Sequence, residues 1–370
     1  MRYMSLCEIC TPKQWPTLTL KQLSGKGFPV YGANGIIGYH DIYNHEQATV
    51  MIGCRGTCGQ VTISEEKAYI NGNAMCLDNL SDSYDKKFIL YYLQNYDFSE
   101  IITGSSQPQI TRESLKKVLI PIVSKEVQLN VVSHFDKLYE LIVARRMQLA
   151  KLDQLVKSQF IELFGDPFIN DKNWITDTLG NYMTTLTDFS ANGSYELLDS
   201  NVIMYDEPNY AVMVRTTDLE SGNLCSGVKY IDKSAYELLN KSKLFGGELI
   251  MNKIGSAGKI YIMPYIDQPA SLGRNAFMFR FDDRLNMKYL YFLLSSDYGT
   301  KEIQQYVRGA VTKTITKDST RAIKIIVPPI ELQNQFAAFV EQTDKSKLAI
   351  QQSLDKLGIL KKSLMQEYFG

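Results

Sequence analysis

Between Ser124 and Phe164 the chain has no proline and no glycine, and apolar residues recur in a 4-3-4-3 rhythm at Val131, Phe135, Leu138, Ile142, Leu149, Leu152, Val156 and Leu163. Arg145 and Gln159 fill the other two places, so eight of ten seam positions are apolar. A seam sustained over this span predicts one long helix packed as a coiled coil. The rhythm returns 205 residues later at Phe336, Val340, Thr343, Lys347, Ile350, Leu354, Leu357, Lys361, Leu364 and Tyr368, seven of ten apolar. A helix of about 40 residues is roughly 60 Å long at 1.5 Å per residue, several-fold longer than an ordinary globular helix. Pro121 and Pro328-Pro329 punctuate the two starts, and Gly165-Asp166-Pro167 ends the first helix.

The helices are the most regular part of a longer repeat. Ile110 to Gly165 aligns without a gap on Ile315 to Gly370, keeping Thr111/Thr316, Ser114/Ser319, Gln128/Gln333 and Phe164/Phe369 in step. Ahead of each helix lie short β-rich runs broken by glycine turns, VMIGCRG, QVTI and AYI in one copy, ELIMNKI, KIYIMPYI and AFMFRF in the other. Gly56 and Gly59 match Gly255 and Gly258, and Asn73-Ala74-Met75 matches Asn275-Ala276-Phe277. The expected organisation is an α+β chain of two mixed α/β domains at residues 1–123 and 166–328, each followed by a long helix at 124–165 and 329–370.

At 370 residues, 45% hydrophobic and 22% charged, the chain can bury two cores. No run reaches the roughly 20 apolar residues of a membrane span, and MRYMSLCEIC has no secretory pattern. With six cysteines, these features place the protein in the reducing cytoplasm. Cys7/Cys10 and Cys54/Cys58 form two close pairs, but their separation is not diagnostic of zinc, and no metal or cofactor site is assigned. A formal net charge of zero argues against a protein that coats nucleic acid nonspecifically, while leaving room for local basic contacts.

Catalytic motifs are missing. The only Pro-Pro, Val327-Pro328-Pro329-Ile330, lacks the flanking residues of an amino-methyltransferase site. No Walker A sequence or dinucleotide-type glycine turn is present. Glu65-Glu66-Lys67 supplies only half of a nuclease pattern.

What remains suits base reading. Pro29 to His40 (PVYGANGIIGYH) reads as a glycine-rich loop carrying Tyr31, Asn34, Tyr39 and His40. Further polar tips follow at Arg55, Thr57 and Gln60, then at Ser105, Ser106, Gln107 and Gln109. The second copy offers Arg215, Thr216, Thr217, Asn252, Lys253, Ser256, Lys259, Arg274, Asn275, Arg308, Thr312, Lys313 and Thr314. Amide, guanidinium and ammonium groups supply the donor and acceptor forks that read base edges, and glycines permit close backbone approach.

PVYGANGIIGYHD, the turns in VMIGCRGTCGQV and LIMNKIGSAGKI, KSKLFGGELI, the helix openings IPIVSKEVQ and VPPIELQNQ, and ELFGDP together resemble the specificity subunit of a type I restriction–modification system. The resemblance spans essentially the whole chain. It implies two target recognition domains, each reading half of a bipartite, asymmetric sequence in double-stranded DNA. It also implies an antiparallel helix pair that sets the spacing and docks two modification (methyltransferase) subunits, with restriction (endonuclease and translocase) subunits joining the full complex. The chain itself would be non-catalytic. Two like units arranged antiparallel give a pseudo-two-fold, as in dimeric DNA readers. The competing reading from residues alone is a two-domain protein-interaction scaffold with a coiled-coil spacer.

Overall fold

The computed structural model describes residues 2–104 and 107–370. The chain divides into two compact units, Met1–Gln148 with Ala349–Gly370, and Leu149–Leu348. Each unit therefore takes one globular domain and part of both long helices.

In the first unit, Tyr3–Ser5 pairs antiparallel with Leu119–Pro121. A four-stranded antiparallel sheet runs in the order Thr11–Lys13, Ala74–Asp78, Val50–Gly53, Val61–Ile63. A second sheet is ordered Gly35–His40, Phe28–Gly32, Tyr69–Ile70, the last pair parallel. Successive strand residues face opposite sides. Val50 and Ile52 accordingly join the core that holds Phe88, Leu93 and Phe135 of the helical layer, while Met51 joins the core of Tyr31, Ile70 and Cys76. The segment read above as a glycine-rich loop is in fact a β-hairpin, Phe28–Gly32 against Gly35–His40. Gly35 takes a φ of 105° at its turn, a conformation that suits a residue with no Cβ.

The second unit repeats this plan. Ile175–Thr178 pairs with Lys324–Val327, and one sheet is ordered Met183–Asp188, Ala276–Phe281, Leu249–Asn252, Ile260–Ile262. The other sheet is ordered Lys229–Ile231, Ala211–Val214, Ala270–Leu272, Lys243–Leu244, again with one parallel pair. Its outer face is covered by Leu198, Val202, Ala235 and Tyr236, a layer supplied by the helices Tyr195–Asn201 and Lys233–Leu238 and the loop after the first of them.

The long helices run Lys125–Phe164 and Ile330–Phe369, keeping the 205-residue offset at both ends. All twenty seam positions are buried or half-buried. Within the first unit the Phe135 and Phe369 rings stack with centroids 5.9 Å apart, and the Lys361 ammonium lies 4.9 Å from the Tyr139 ring. Within the second, Phe336 meets Phe160 at 5.5 Å and Phe164 at 5.6 Å, and Lys347 pairs with Asp153 at 2.6 Å. Rising numbers on one helix meet falling numbers on the other in both units, so the pair is antiparallel. Polar seam residues are accommodated individually. Lys347 reaches out to Asp153, Lys361 lies along Tyr139, and the Thr343 hydroxyl donates to the Phe339 carbonyl at 2.9 Å.

The repeat extends to single hydrogen bonds. Gln128 and Gln333 are both buried, and their Oε1 atoms accept from the backbone N–H of Asp85 (2.7 Å) and Asn286 (2.8 Å). Those two residues cap the helices Lys86–Asn95 and Met287–Ser295. The amide nitrogens donate to Ser83 and Val123 carbonyls in one unit, and to Arg284 and Pro328 carbonyls in the other. A buried amide that satisfies all its groups fixes the angle at which a long helix leaves its domain. Among the described residues, no helix is long and apolar enough to cross a membrane.

Candidate nucleic-acid interface

In the first unit the turn Gly53–Gln60 joins strands Val50–Gly53 and Val61–Ile63. Gly53 donates to the Gln60 carbonyl at 2.7 Å and Gly59 to the Gly53 carbonyl at 2.9 Å. Thr103 and Gln109 exchange backbone hydrogen bonds (2.9 and 2.8 Å), closing a narrow hairpin. Arg55 pairs with Gln109 as an isolated bridge, so turn and hairpin form one edge. Arg55, Thr57, Gln60, Gln107 and Gln109 are all exposed on it. Ser105 and Ser106 lie outside the described residues.

The second unit builds the same edge. Asn252 donates to the Lys259 carbonyl at 2.9 Å and Gly258 to the Asn252 carbonyl at 2.8 Å. Arg308 and Thr314 exchange backbone bonds at 2.9 and 2.8 Å, and Ile254 bridges to Thr314. Gly258 has a φ of 87°, and a Cβ there would stand 2.4 Å from Ile303 Cγ2, so this turn requires glycine twice over. Ser256, Lys259, Arg308, Thr312 and Lys313 are exposed, and Thr314 is half-buried.

The edges share a backbone and differ in charge. Asp188 ends strand Met183–Asp188 beneath the second edge, 8% exposed, with Lys253 at 2.9 Å and Lys317 at 2.8 Å. Burial pushes its carboxyl upward, but hydrogen bonds from Lys317 and Lys253 outweigh that and hold it below the usual carboxylate range. In the first unit Gln14 occupies the corresponding step beyond the residue opposite Cys76, as Asp188 lies beyond the residue opposite Met278. Gln14 Nε2 donates to the Gly72 carbonyl at 2.9 Å and lies 3.1 Å from Cys54 Sγ. Lys13, Arg55 and Arg112 line one cleft with Gln14 and Gln109, and no carboxylate is among its described lining residues.

Asp188 makes a testable contribution to stability. A depressed folded-state value contributes stability present above the unfolded carboxylate value of about 3.9 and lost as pH falls through the lower folded value. The stability gap between the protein and its Asp188→Asn variant is expected to be largest near neutrality and to close below about pH 4. Denaturant titrations across pH check this, and a gap independent of pH would contradict it.

A second group of residues gathers in a cleft of the second unit. Arg215, Thr216, Thr217, Arg274 and Asn275 line it above an apolar floor of Phe189, Val202, Met204 and Met213. Arg215 pairs with Asp218 at 2.6 Å, and Arg274 pairs with Asp199 at 3.1 Å while its guanidinium lies 5.2 Å from the Phe189 ring. Lys259 pairs with Glu220. Asn34 and Tyr39 are exposed on the first unit's hairpin and His40 is half-buried there, apart from the Arg55 edge in sequence and pairing. Two side chains are withdrawn from any surface. Tyr31 is 6% exposed, its hydroxyl accepting from the Glu65 N–H, and Asn252 is 5% exposed. Tyr31 sits on the inner strand of its hairpin and Asn252 on the strand leading into its turn, and both strands are covered on both faces.

Sequence reading overlooked Lys13, Gln14, Arg112, Asp188 and Lys317. Arg112 and Lys317 carried a visible signal, because they are matched cations at the 205-residue offset, immediately after Thr111/Thr316. Thr111 and Thr316 both cap short helices, accepting from Ser114 and Ser319 N–H groups, which holds those cations against the edge.

Comparison with known proteins agrees with this architecture. Residues 1–153 and 180–357 match the type I restriction modification DNA specificity domain. A protein of Haemophilus influenzae named as a type I restriction enzyme specificity subunit is 29% identical over 126 residues, a match spanning 33% of this chain and only 32% of that relative. The type I restriction enzyme MjaVIII specificity subunit of Methanocaldococcus jannaschii is 20% identical over 82% of this chain and 74% of its own. The crystal structure of the type I restriction-modification system S subunit from M. genitalium superposes with a TM-score of 0.62 at 16% identity, covering 100% of this chain and 96% of that one, which establishes a shared fold. The match to the domain covers most of the chain in two blocks, one per repeat. The chain belongs to the type I restriction modification DNA specificity domain family.

Proposed function

We propose that the protein is the sequence-specific DNA-binding subunit of a type I restriction–modification complex. Each unit reads one half of a bipartite, asymmetric target in double-stranded DNA. The observation that carries this reading is the paired edge, one turn-plus-hairpin backbone repeated in both units with different side chains. Two copies of one backbone place equivalent groups on two half-sites, and different side chains read different bases there.

The first edge offers cations and amides without a counter-carboxylate, suited to phosphates and purine edges. The second offers Arg308, Thr312 and Lys313 around Val311, which is 98% exposed and apolar enough to meet a thymine methyl. The long helices set the distance between half-sites and dock two modification subunits, which restriction subunits join. Methylation and cleavage belong to those partners, and this chain supplies recognition. A net charge of zero fits, because the complex neutralises phosphates jointly.

Filter binding of the chain with its modification subunits, at varied salt, tests the reading. A steep fall in affinity as salt rises is expected for DNA, and a flat response favours a protein-interaction scaffold. Arg55→Ala, Arg274→Ala and Lys313→Ala are each expected to weaken binding by about 1–3 kcal/mol if they touch bases, or to lower the salt slope by about one unit if they touch phosphate. Unchanged affinity and slope for all three would place the binding face elsewhere.

A further inference from the structure

The first unit holds a group of side chains that recognition does not use. His45, Cys76 and Asp78 bring their ligand atoms within 4.8 Å of one another, the one such group of three among the described residues. Cys76 and Asp78 stand two apart on strand Ala74–Asp78 and so share a face. Cys76 is fully buried, and the His45 and Asp78 side chains are 9% and 15% exposed.

The hydrogen bonds around this group fix how its side chains are oriented. Asn44 is clamped to the backbone of Ile70, its Oδ1 accepting from the Ile70 N–H at 2.8 Å and its Nδ2 donating to the Ile70 carbonyl at 3.0 Å. The amide therefore cannot flip, and its Oδ1 faces His45 Nδ1 at 2.7 Å as an acceptor. The proton of a neutral imidazole must then sit on Nδ1. Nε2 then faces Asp78 Oδ1 at 2.9 Å, a contact that either an Nε2 proton or a bound cation bridges. On its other oxygen Asp78 accepts from Trp15 Nε1 at 3.1 Å. An imidazole held through Nδ1–H and a carboxylate held through its far oxygen are the outer-shell supports that orient metal ligands.

We propose that His45 Nε2, Cys76 Sγ and an oxygen of Asp78 bind a divalent metal ion of the zinc class. Mixed nitrogen, sulfur and oxygen donors in a compact set suit zinc, and a thiolate with a carboxylate neutralises its two charges. His45 and Asp78 border an open cleft with Lys13, Trp15, Asn44 and Glu46, so a fourth position on that side would take water. The second unit serves as an internal control. Its corresponding strand positions carry Met278 and Arg280, and Arg280 pairs with Glu248 at 2.9 Å, where no metal would bind.

The test uses the full chain, stripped with chelator and titrated with Zn²⁺ alone and with Co²⁺ alone. One ion per chain is expected. The Co²⁺ form should show a thiolate-to-metal charge-transfer band, absent from Cys76→Ser and retained in Cys225→Ser. Asn44→Ala, which removes the acceptor facing Nδ1 together with its two bonds to Ile70, should weaken binding about 10- to 100-fold. Should the unaltered chain take up no Co²⁺, or take it up without a thiolate band, the proposal fails whatever the variants do. Uptake unchanged by Cys76→Ser and His45→Ala would overturn it as well, by placing the ion elsewhere.

Discussion

Phe336→Ala is expected to destabilise the second unit by about 3–5 kcal/mol, the usual cost of removing a buried phenyl ring from a packed core. Phe336 is fully buried, and its ring meets Phe160, Phe164 and Phe292 at centroid distances of 5.5, 5.6 and 5.2 Å. Two long helices and the helix Met287–Ser295 therefore converge on one side chain, and none can close the gap without breaking its other contacts. Leu348→Ala, on the same helix but 59% exposed, should stay within about 0.5 kcal/mol. Hydrogen exchange locates the effect. Protection should fall at Leu249–Asn252, whose residues share the core of Phe336, more than at Val50–Gly53, which packs in the other unit. Equal loss at both strands would show that the helices bind the two units into a single cooperative transition.

Lengthening the helix pair is expected to change the target while sparing its two half-sites. One heptad inserted into both helices, after Lys151 and after Lys356, preserves the seam rhythm and adds about 10 Å at 1.5 Å per residue. At roughly 3.4 Å per base pair, this corresponds to about three additional base pairs of spacer. Sequencing the sites methylated by the reconstituted complex reads the outcome. An active variant that keeps the old spacing would show that the helices dock partners without setting distance. The prediction rests on the proposed recognition role, which the salt titration tests separately.

The helices were legible because a seam is a local pattern. Phe135, Leu138, Val156, Phe336 and Leu357 announce their spacing within a few residues, and each turned up buried or half-buried. The repeat also located the paired turns, since Gly56/Gly255 and Gly59/Gly258 are needed for backbone conformation and so persist through divergence. Side-chain partnership was less accessible. Lys253 reads as a free cation in sequence, yet it is held by Asp188, 65 residues away, and nothing local marks that meeting. Tyr31 looked like an aromatic on a glycine-rich loop, whereas it lies buried on the inner strand of a hairpin. His45 and Cys76 are separated by 31 residues with no ligand spacing between them, and parallel pairing of Phe28–Gly32 with Tyr69–Ile70 is the kind of nonlocal contact that gathers such groups.

The first unit is composed of two stretches of chain, Met1–Gln148 and Ala349–Gly370. Synthesis from the amino end therefore separates its parts in time. At roughly 5–20 residues per second, the 200 residues of the second unit occupy the ribosome for about 10–40 s before the closing segment emerges. Throughout that interval Phe88, Tyr92 and Phe135 lack the ring of Phe369 that later packs on them, and the buried site of Met365 is unfilled. The unit begun first is thus the last to close. Its nascent form presents an aromatic surface that a holdase chaperone can grip, and a chain arrested before Ala349 leaves that surface uncovered.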